Sequence, residues 1–296
     1  MSIPPNHISI LHHLNIASPR LIASGINSAV YELDDHRVVK ISDTSPPQIS
    51  ELPDLLRDLN SAGLPFETPL ILDHGEIGST PYTIERKISG KSLRAVFQNL
   101  DIKQRERAIH GLLDALDSLH SIKTSRAFGD RFVVPGAITA LSWSEYLTTK
   151  ARSQYQLYKS DLVRDEPQME AVFDRFMMEV ALLKEPSIRS IVHGDLFFPN
   201  VMALDDGTIS GIVDFSDLTL VGDPMVDLIS LAIFARDDEG RDLINSLLRE
   251  RHSERFELSK RLYSLFYAFR FSGCKAKDPE TYEWCLGQFR AYSSSK

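Results

Sequence analysis

The sequence predicts an α+β fold, in which a small antiparallel β-sheet with one helix precedes a larger, mostly helical region. Short β-branched and aromatic runs separated by turn residues fill the chain up to Gly90, and apolar residues recur at helical spacing after it. The 296 residues, 43% of them hydrophobic, suffice for a two-lobed enzyme with a sizeable core. We expect an N-terminal lobe and hinge at residues 1–90 and a C-terminal lobe at 91–296.

The N-terminal lobe is predicted from two hairpin patterns and one helical pattern. SAVYEL and HRVVKI flank the turn-forming pair Asp34-Asp35, while TPLILDHGEI and PYTIERKI meet at Gly78. Between these pairs, the leucines of SELPDLLRDLNSAG fall on one helical face, and Gly63 supplies a stop signal. These elements predict one small sheet that holds one helix.

The C-terminal region is predicted to be helical with one exception. A helical period is carried by Ile109, Leu112, Leu113, Leu116 and Leu119, and it returns in later segments. The exception is IVHGDLFFPNVMALDDGTISGIVDFSD, where two strand-like pieces flank the turn signal Asp205-Asp206-Gly207. The residues that could carry chemistry are concentrated in this segment.

Composition excludes several classes of protein. A net charge of -8 argues against a nucleic-acid binder and weakly favours cationic ligands, although ordinary acidic solubility is the commoner reason for such a charge. The two cysteines lack the spacing of a zinc site or a disulfide framework, which indicates a reducing compartment. No leader or bilayer-spanning stretch is recognisable, so we expect a cytoplasmic protein without membrane partners. Oligomeric state is not predicted.

The strongest functional signal is an ordered set of polar residues. Asp195 follows His193-Gly194, Asn200 comes five residues later, and Asp214 lies at the far end of the predicted hairpin. Each residue alone is more often a turn former, but their order and strand–turn–strand context favour chemistry. For phosphoryl transfer, Asp195 is the candidate catalytic base, and Asn200 and Asp214 offer the hard oxygen ligands that Mg²⁺ prefers.

The segments HGDLFFPN and IVDFSDLTLVGDPMVDLISL resemble the aminoglycoside phosphotransferase and choline kinase-like family, whose members are relatives of protein kinases. The resemblance implies a bilobal protein-kinase-like fold with ATP or GTP as the phosphoryl donor. It also implies a supporting role for Asp227, whose carboxylate would accept backbone N–H groups of the catalytic loop at a helix start and hold Asp195 in place.

The same resemblance assigns nucleotide-binding residues to the N-terminal lobe. Lys40, on the third predicted strand, would bind the α and β phosphates, and a helix glutamate would hold it. Glu51 is the expected partner, because it lies early in the predicted helix, and Glu32 is the weaker alternative; the short connection from Lys40 to Glu51 leaves the register of this pair open. Without the catalytic loop, an exposed lysine and glutamate would count as ordinary surface residues.

Two further segments are expected to contact the nucleotide. ASGINSAVY contains one glycine where a protein kinase has three, and Gly25, Asn27 and Ser28 would hold the phosphates through backbone and side-chain donors. IERKISG resembles the hinge, including Glu85 and Lys87, and its backbone would recognise the base between apolar side chains such as Val38 and Ile212.

The acceptor is expected to be a small molecule with a hydroxyl group, foremost an aminoglycoside-type antibiotic. The alternatives are a cellular alcohol such as choline, a homoserine-like amino acid or a sugar, and a pseudokinase module that binds nucleotide without turnover. Phe197 and Asp217 are expected near the acceptor, since they adjoin the catalytic segments. Other acidic and aromatic candidates have surface or core packing as the commoner outcome, namely Glu145, Asp165, Glu166, Asp237, Asp238, Glu239, Trp143, Tyr146, Phe198, Tyr282 and Trp284. A protein-serine kinase is disfavoured, because no A-P-E segment or activation loop separates Asp214 from Asp227.

Overall fold

The computed structural model describes residues 3–25, 28–42, 51–236 and 239–294. The chain forms two compact units. The first unit comprises Met1–Ser118, Phe132–Pro135 and Pro199–Asp217, and the second comprises Leu119–Arg131, Gly136–Phe198 and Leu218–Lys296. The first compact unit extends past residue 90 and includes the 199–217 hairpin. The predicted boundary at residue 90, between the N-terminal lobe with its hinge and the C-terminal lobe, therefore stays a prediction.

The first unit is built on a five-stranded antiparallel sheet in the order β1-β2-β3-β5-β4. Both predicted hairpins and the predicted helix of the N-terminal lobe are confirmed in this unit. Its elements before residue 90 are α1 (Pro5–His13), β1 (Arg20–Ser24), β2 (Ser28–Glu32), β3 (Arg37–Ser42), α2 (Leu52–Ser61), β4 (Ile71–Ile77) and β5 (Thr80–Arg86). The helix α1 has no counterpart in the sequence prediction, and its Ile10 and Leu11 pack with Tyr31, Val39 and Ile41 in a buried cluster.

The sheet places Lys40 on a central strand. Lys40 pairs with Val30 of β2 and with Thr83 of β5. Its neighbours on β3, Val39 and Ile41, point to the opposite face and are completely buried. The alternation of β3 therefore directs the lysine away from the core that anchors the strand.

A smaller three-stranded sheet carries the predicted 201–212 hairpin. It contains β6 (Lys91–Ser92), β10 (Val201–Ala203) and β11 (Ile209–Ile212), in the order β11-β10-β6. Gly207 takes the left-handed φ of 90° that its turn requires. The helices α3 (Leu93–Phe97) and α4 (Ile102–His120) follow β6, and α4 belongs to the first unit up to Ser118.

The second unit is mostly helical, as predicted, and it also contains a four-stranded sheet in the order β8-β7-β12-β9, which the sequence analysis did not predict. The strands are β7 (Phe128–Asp130), β8 (Thr139–Ala140), β9 (Ser190–Val192) and β12 (Leu220–Gly222). The helices are α5 (Trp143–Asp165), α6 (Met169–Val180), α7 (Met225–Phe234), α8 (Arg241–Phe271) and α9 (Pro279–Ser294). Most aromatic residues of α8 are buried in the core, among them Tyr263, Phe266, Tyr267 and Phe269.

Within the described part of the chain, no helix combines the length and apolar character needed to cross a membrane.

Candidate active site

The loop that carries Asp195 leaves β9 and is held by a buried aspartate. Asp227 lies in the first turn of α7 and is completely buried. Its Oδ2 accepts a hydrogen bond from the His193 backbone N–H at 2.8 Å, and its Oδ1 accepts one from the Gly194 N–H, also at 2.8 Å. The geometry expected for Asp227 is confirmed, because one carboxylate ties two consecutive peptides of the loop to a helix.

His120 is a further partner of Asp227 that the sequence analysis did not identify. Its Nε2 lies 2.9 Å from Oδ2 of Asp227, and both side chains are buried. Burial works against the charged carboxylate, but the hydrogen bond and charge of His120 and the Gly194 N–H together lower the pKa of Asp227 below its ordinary value. Asp227 is therefore a carboxylate that its hydrogen-bond partners keep ionised.

Gly194 is required by the path of the loop. Its φ is 79°, a left-handed conformation, and a Cβ atom at this position would lie 1.9 Å from the Leu218 backbone oxygen. The loop therefore approaches the segment after Asp217 more closely than a side chain permits.

Replacing Gly194 with alanine is expected to destabilise the protein by about 2–5 kcal/mol, because left-handed strain adds to an overpacked contact. Gly136→Ala is the matched control, since Gly136 has a φ of 80° with no atom within 4 Å of the added carbon. Thermal unfolding of the two variants measures the difference. Equal unfolding midpoints would show that the Leu218 contact yields without cost.

Asp195 is half-buried, directly after this glycine. Its backbone N–H donates to His193 Nδ1 at 3.3 Å. The backbone before Asp195 is thus anchored by Asp227, and its own N–H is anchored by the histidine side chain. This arrangement suits a residue whose carboxylate must be held in one direction.

In the first unit, Lys40 and Asp214 form an ion pair across 174 residues of sequence. Burial is the largest single effect and works against the charged lysine, but the Asp214 charge, the Glu85 charge and the Asp214 hydrogen bond together outweigh it, so that the pKa of Lys40 is raised. Asp214 has a φ of 68°, a left-handed conformation that a non-glycine residue adopts only at a cost of about 1–2 kcal/mol. Two of the predicted site residues are therefore brought together, and one has a strained backbone.

Asn200 lies beside Asp214 at the open end of the hairpin. Its backbone oxygen accepts the Val213 N–H at 2.9 Å, and the next residues, Val201 and Ile212, are paired across β10 and β11. Among the described residues, no group of three or more His, Cys, Asp or Glu side chains is arranged to hold a metal ion. One amide and one carboxylate instead match Mg²⁺, which keeps several waters and takes further ligands from phosphate.

The other nucleotide-binding candidates all belong to the first unit. Gly25, directly after β1, donates its N–H at 2.8 Å to the oxygen of Ser28, the first residue of β2, and Asn27 lies outside the described residues. Glu51 occupies the N-cap of α2. The roles of these residues toward nucleotide stay predictions.

The hinge candidates are tied into the sheet. The Lys87 side chain pairs with Glu32, and its backbone N–H donates to the His36 oxygen at 2.8 Å. Glu85 accepts the Thr83 hydroxyl at 2.6 Å. Glu32, the alternative partner for Lys40, also bonds Arg20 at 3.0 Å, which makes it a surface ion-pair residue in this structure.

Most acidic candidates for the acceptor pocket have intramolecular partners. Asp165 contacts Lys275 and Arg164, Glu166 contacts Arg290 at 3.2 Å, and Glu239 accepts the Arg236 N–H at 2.9 Å. Glu145 accepts the Leu141 N–H. Asp217 is exposed and Phe197 half-buried, while Asp237 and Asp238 lie outside the described residues. Most aromatic candidates are core residues, namely Trp143, Tyr146, Phe198 and Tyr282, and Trp284 is half-buried against Phe234.

The first unit brings a strand lysine to an aspartate that follows the 201–212 hairpin, and the second holds the Asp195 loop with a buried helix aspartate. Together with the order of the elements, these features define a kinase-like protein, and similar solved structures agree.

The chain matches a thermostable mutant of aminoglycoside phosphotransferase APH(4)-Ia with ADP and hygromycin B at a TM-score of 0.72 and 18% identity, covering 98% of each chain. It matches APH(2")-IIa with gentamicin at a TM-score of 0.71 and 17% identity, covering 100% of this chain and 98% of that chain. A candidate fructosamine-3-kinase from Haemophilus somnus matches at a TM-score of 0.61 and 17% identity, covering 96% and 95%.

These likenesses establish the protein-kinase-like fold. A model of the phosphotransferase enzyme family matches residues 18–261, and the chain belongs to this family. A comparison with curated proteins finds no match.

Proposed function

We propose that this phosphotransferase transfers the γ-phosphoryl group of ATP or GTP to a hydroxyl group of a small molecule. The hydroxyl oxygen forms a bond to the γ-phosphorus while the bond from that phosphorus to the β-phosphate oxygen breaks. Asp195 accepts the hydroxyl proton as the catalytic base, and the nucleoside diphosphate leaves. Asp227 supports this step by holding the backbone of the loop.

The Lys40–Asp214 ion pair is the single observation that carries the proposal. These residues lie 174 positions apart in sequence, and the motifs that contain them assign a phosphate role to Lys40 and a metal role to Asp214 independently of their contact. Lys40 would contact the α and β phosphates, and Asn200 and Asp214 would hold Mg²⁺. When bound, Mg²⁺ would neutralise part of the negative charge of the phosphates.

An aminoglycoside-type antibiotic is the proposed acceptor, and antibiotic resistance the proposed consequence. The support comes from similar structures that contain hygromycin B, gentamicin or kanamycin, and from the acidic net charge, which favours polyamines. Asp217 is the exposed acidic candidate beside the catalytic segments. The proposed location is the cytoplasm, supported by two free cysteines.

A sugar or another cellular alcohol is the second candidate acceptor. The candidate fructosamine-3-kinase has the same fold, and several acidic side chains that would bind a polyamine here are engaged by basic side chains. This alternative predicts an acceptor with less positive charge.

The test is phosphorylation of a panel by the purified protein with Mg²⁺, using ATP and GTP separately. The panel includes hygromycin B, gentamicin, kanamycin, a fructosamine, choline and homoserine. Transfer to an aminoglycoside, with raised resistance in cells that express the protein, would support the first candidate. Transfer only to uncharged or singly charged alcohols would favour the second. Tight nucleotide binding without transfer to any acceptor or to water would favour a binding module.

Asp214→Ala is expected to weaken nucleotide binding by about tenfold to a hundredfold in the presence of Mg²⁺, because a charged metal ligand is lost. Titration calorimetry with and without Mg²⁺ measures this effect. The wild-type affinity should depend on Mg²⁺, and the variant affinity should not. An unchanged Mg²⁺ dependence in the variant would contradict the assignment of Asp214 as a ligand.

A further inference from the structure

One face of α8 lies against the backbone of the Asp195 loop. Tyr267 donates its hydroxyl to the Gly194 carbonyl oxygen at 3.2 Å, and Arg270, three residues later, donates Nη2 to the Leu218 oxygen at 3.0 Å. Residues three apart lie on the same side of a helix. The Gly194 and Leu218 carbonyl groups also belong to neighbouring backbone segments, because the Leu218 oxygen occupies the space that a side chain on Gly194 would need.

The Gly194 carbonyl belongs to the peptide that joins Gly194 to Asp195. Asp227 holds the preceding peptide, between His193 and Gly194, through the Gly194 N–H. This contact does not fix the rotation about the backbone bonds of Gly194 that follow its N–H. Glycine has the widest conformational freedom of any residue, and on its N–H side this peptide is restrained by the 3.3 Å hydrogen bond from Asp195 to His193 Nδ1, so a restraint on the carbonyl side completes its orientation. The Tyr267 hydroxyl provides that restraint one residue before Asp195.

The surroundings of Tyr267 keep its hydroxyl in one place and in one protonation state. Its ring is completely buried, with centroids 5.5 Å from that of Phe234 and 5.7 Å from that of Phe271. Burial, followed by the negative charge of Asp227, raises the pKa of Tyr267. The hydroxyl therefore remains a hydrogen-bond donor throughout the pH range in which a kinase works.

We propose that Tyr267 is a positioning residue, which orients the Asp195 carboxylate by holding the Gly194 carbonyl. This inference rests on the proposed function insofar as Asp195 is the base. As a positioning residue, Tyr267 acts through the loop backbone and does not itself contact the reacting atoms. Its removal should change how often Asp195 occupies the productive direction, and should leave nucleotide binding intact.

The experiment compares Tyr267→Phe with Tyr263→Phe in the full-length protein. Both tyrosines are completely buried on α8 one turn apart, and both lose only a hydroxyl. The Tyr263 hydroxyl bonds Asp223 at 2.7 Å and Trp143 Nε1 at 2.9 Å, so its loss removes buried hydrogen bonds that do not involve the Asp195 loop. The readouts are amide hydrogen exchange of the peptide that spans residues 193–198, and phosphoryl transfer from MgATP to hygromycin B and to water.

In Tyr267→Phe we expect exchange of this peptide to be about tenfold faster and transfer about tenfold to a hundredfold slower. The KM for ATP should stay within about twofold, since only the orientation of Asp195 changes. Tyr263→Phe should show wild-type exchange in this peptide and wild-type transfer.

Equal exchange and transfer in the two variants would overturn the proposal, as would faster exchange in Tyr267→Phe that spreads equally along α8. Because hydrogen exchange needs no turnover, it decides the positioning contact even if the acceptor differs from hygromycin B. Faster loop exchange in Tyr267→Phe with wild-type transfer in both Tyr267→Phe and Asp195→Ala would overturn Asp195 as the base, and with it the catalytic part of this inference.

Discussion

Asp195→Ala is expected to lower the rate of phosphoryl transfer by about 10²–10⁴-fold, the usual contribution of a general base. The free energy of unfolding should change by no more than about 1 kcal/mol, because the loop backbone remains tied to Asp227 and to His193. Nucleotide binding should persist, since Lys40 and Asp214 are untouched. Single-turnover kinetics with the acceptor found in the panel, together with thermal unfolding, measures both effects.

Asp195→Asn is the matched control for this result. Asparagine keeps the size of the side chain and one acceptor oxygen but cannot take a proton at neutral pH. It should therefore fold like the wild type and transfer nearly as slowly as the alanine variant. A wild-type rate in Asp195→Ala would eliminate this residue as the base.

Asp227→Ala is expected to lower the free energy of unfolding by about 3–5 kcal/mol and to reduce transfer as well. The substitution leaves the buried N–H groups of His193 and Gly194 and the ring of His120 without their acceptor. Thermal unfolding and single-turnover transfer are the measurements. Asp205→Ala is the control, because Asp205 is a mostly exposed residue whose ion pair with Lys91 is also exposed. Similar unfolding midpoints in the two variants would contradict the supporting role of Asp227.

The pH dependence of Asp227 follows from the direction of its shift. Its pKa is lowered in the folded protein, so its stabilising contribution is present above the unfolded-state pKa of about 4 and is lost as the pH falls through the folded-state pKa. The stability difference between the wild type and Asp227→Asn should therefore shrink as the pH falls below about 4 towards the folded-state pKa of Asp227. A difference that grows on acidification would contradict this sign.

Much of the secondary structure was predictable because local signals agreed with the final structure. The runs around Asp34-Asp35 and Gly78 became the hairpins β2–β3 and β4–β5, and Asp205-Asp206-Gly207 became the turn between β10 and β11. The helix α1 escaped prediction, because its place depends on packing Ile10 and Leu11 against the sheet. A short helix of this kind gains most of its stability from tertiary contacts.

The sequence by itself determined the family, the fold class and the motif that contains Asp195, Asn200, Asp214 and Asp227. These are properties of residue order and spacing, which a linear pattern records. Only the tertiary structure decided that Lys40 pairs with Asp214, that His120 contacts Asp227, and that Tyr267 contacts Gly194 of the Asp195 loop. Each of these contacts joins residues more than 70 positions apart, and each is formed when burial brings separate elements together. No local spacing in the chain encodes such a contact, because chain folding rather than sequence distance sets the separation of these side chains.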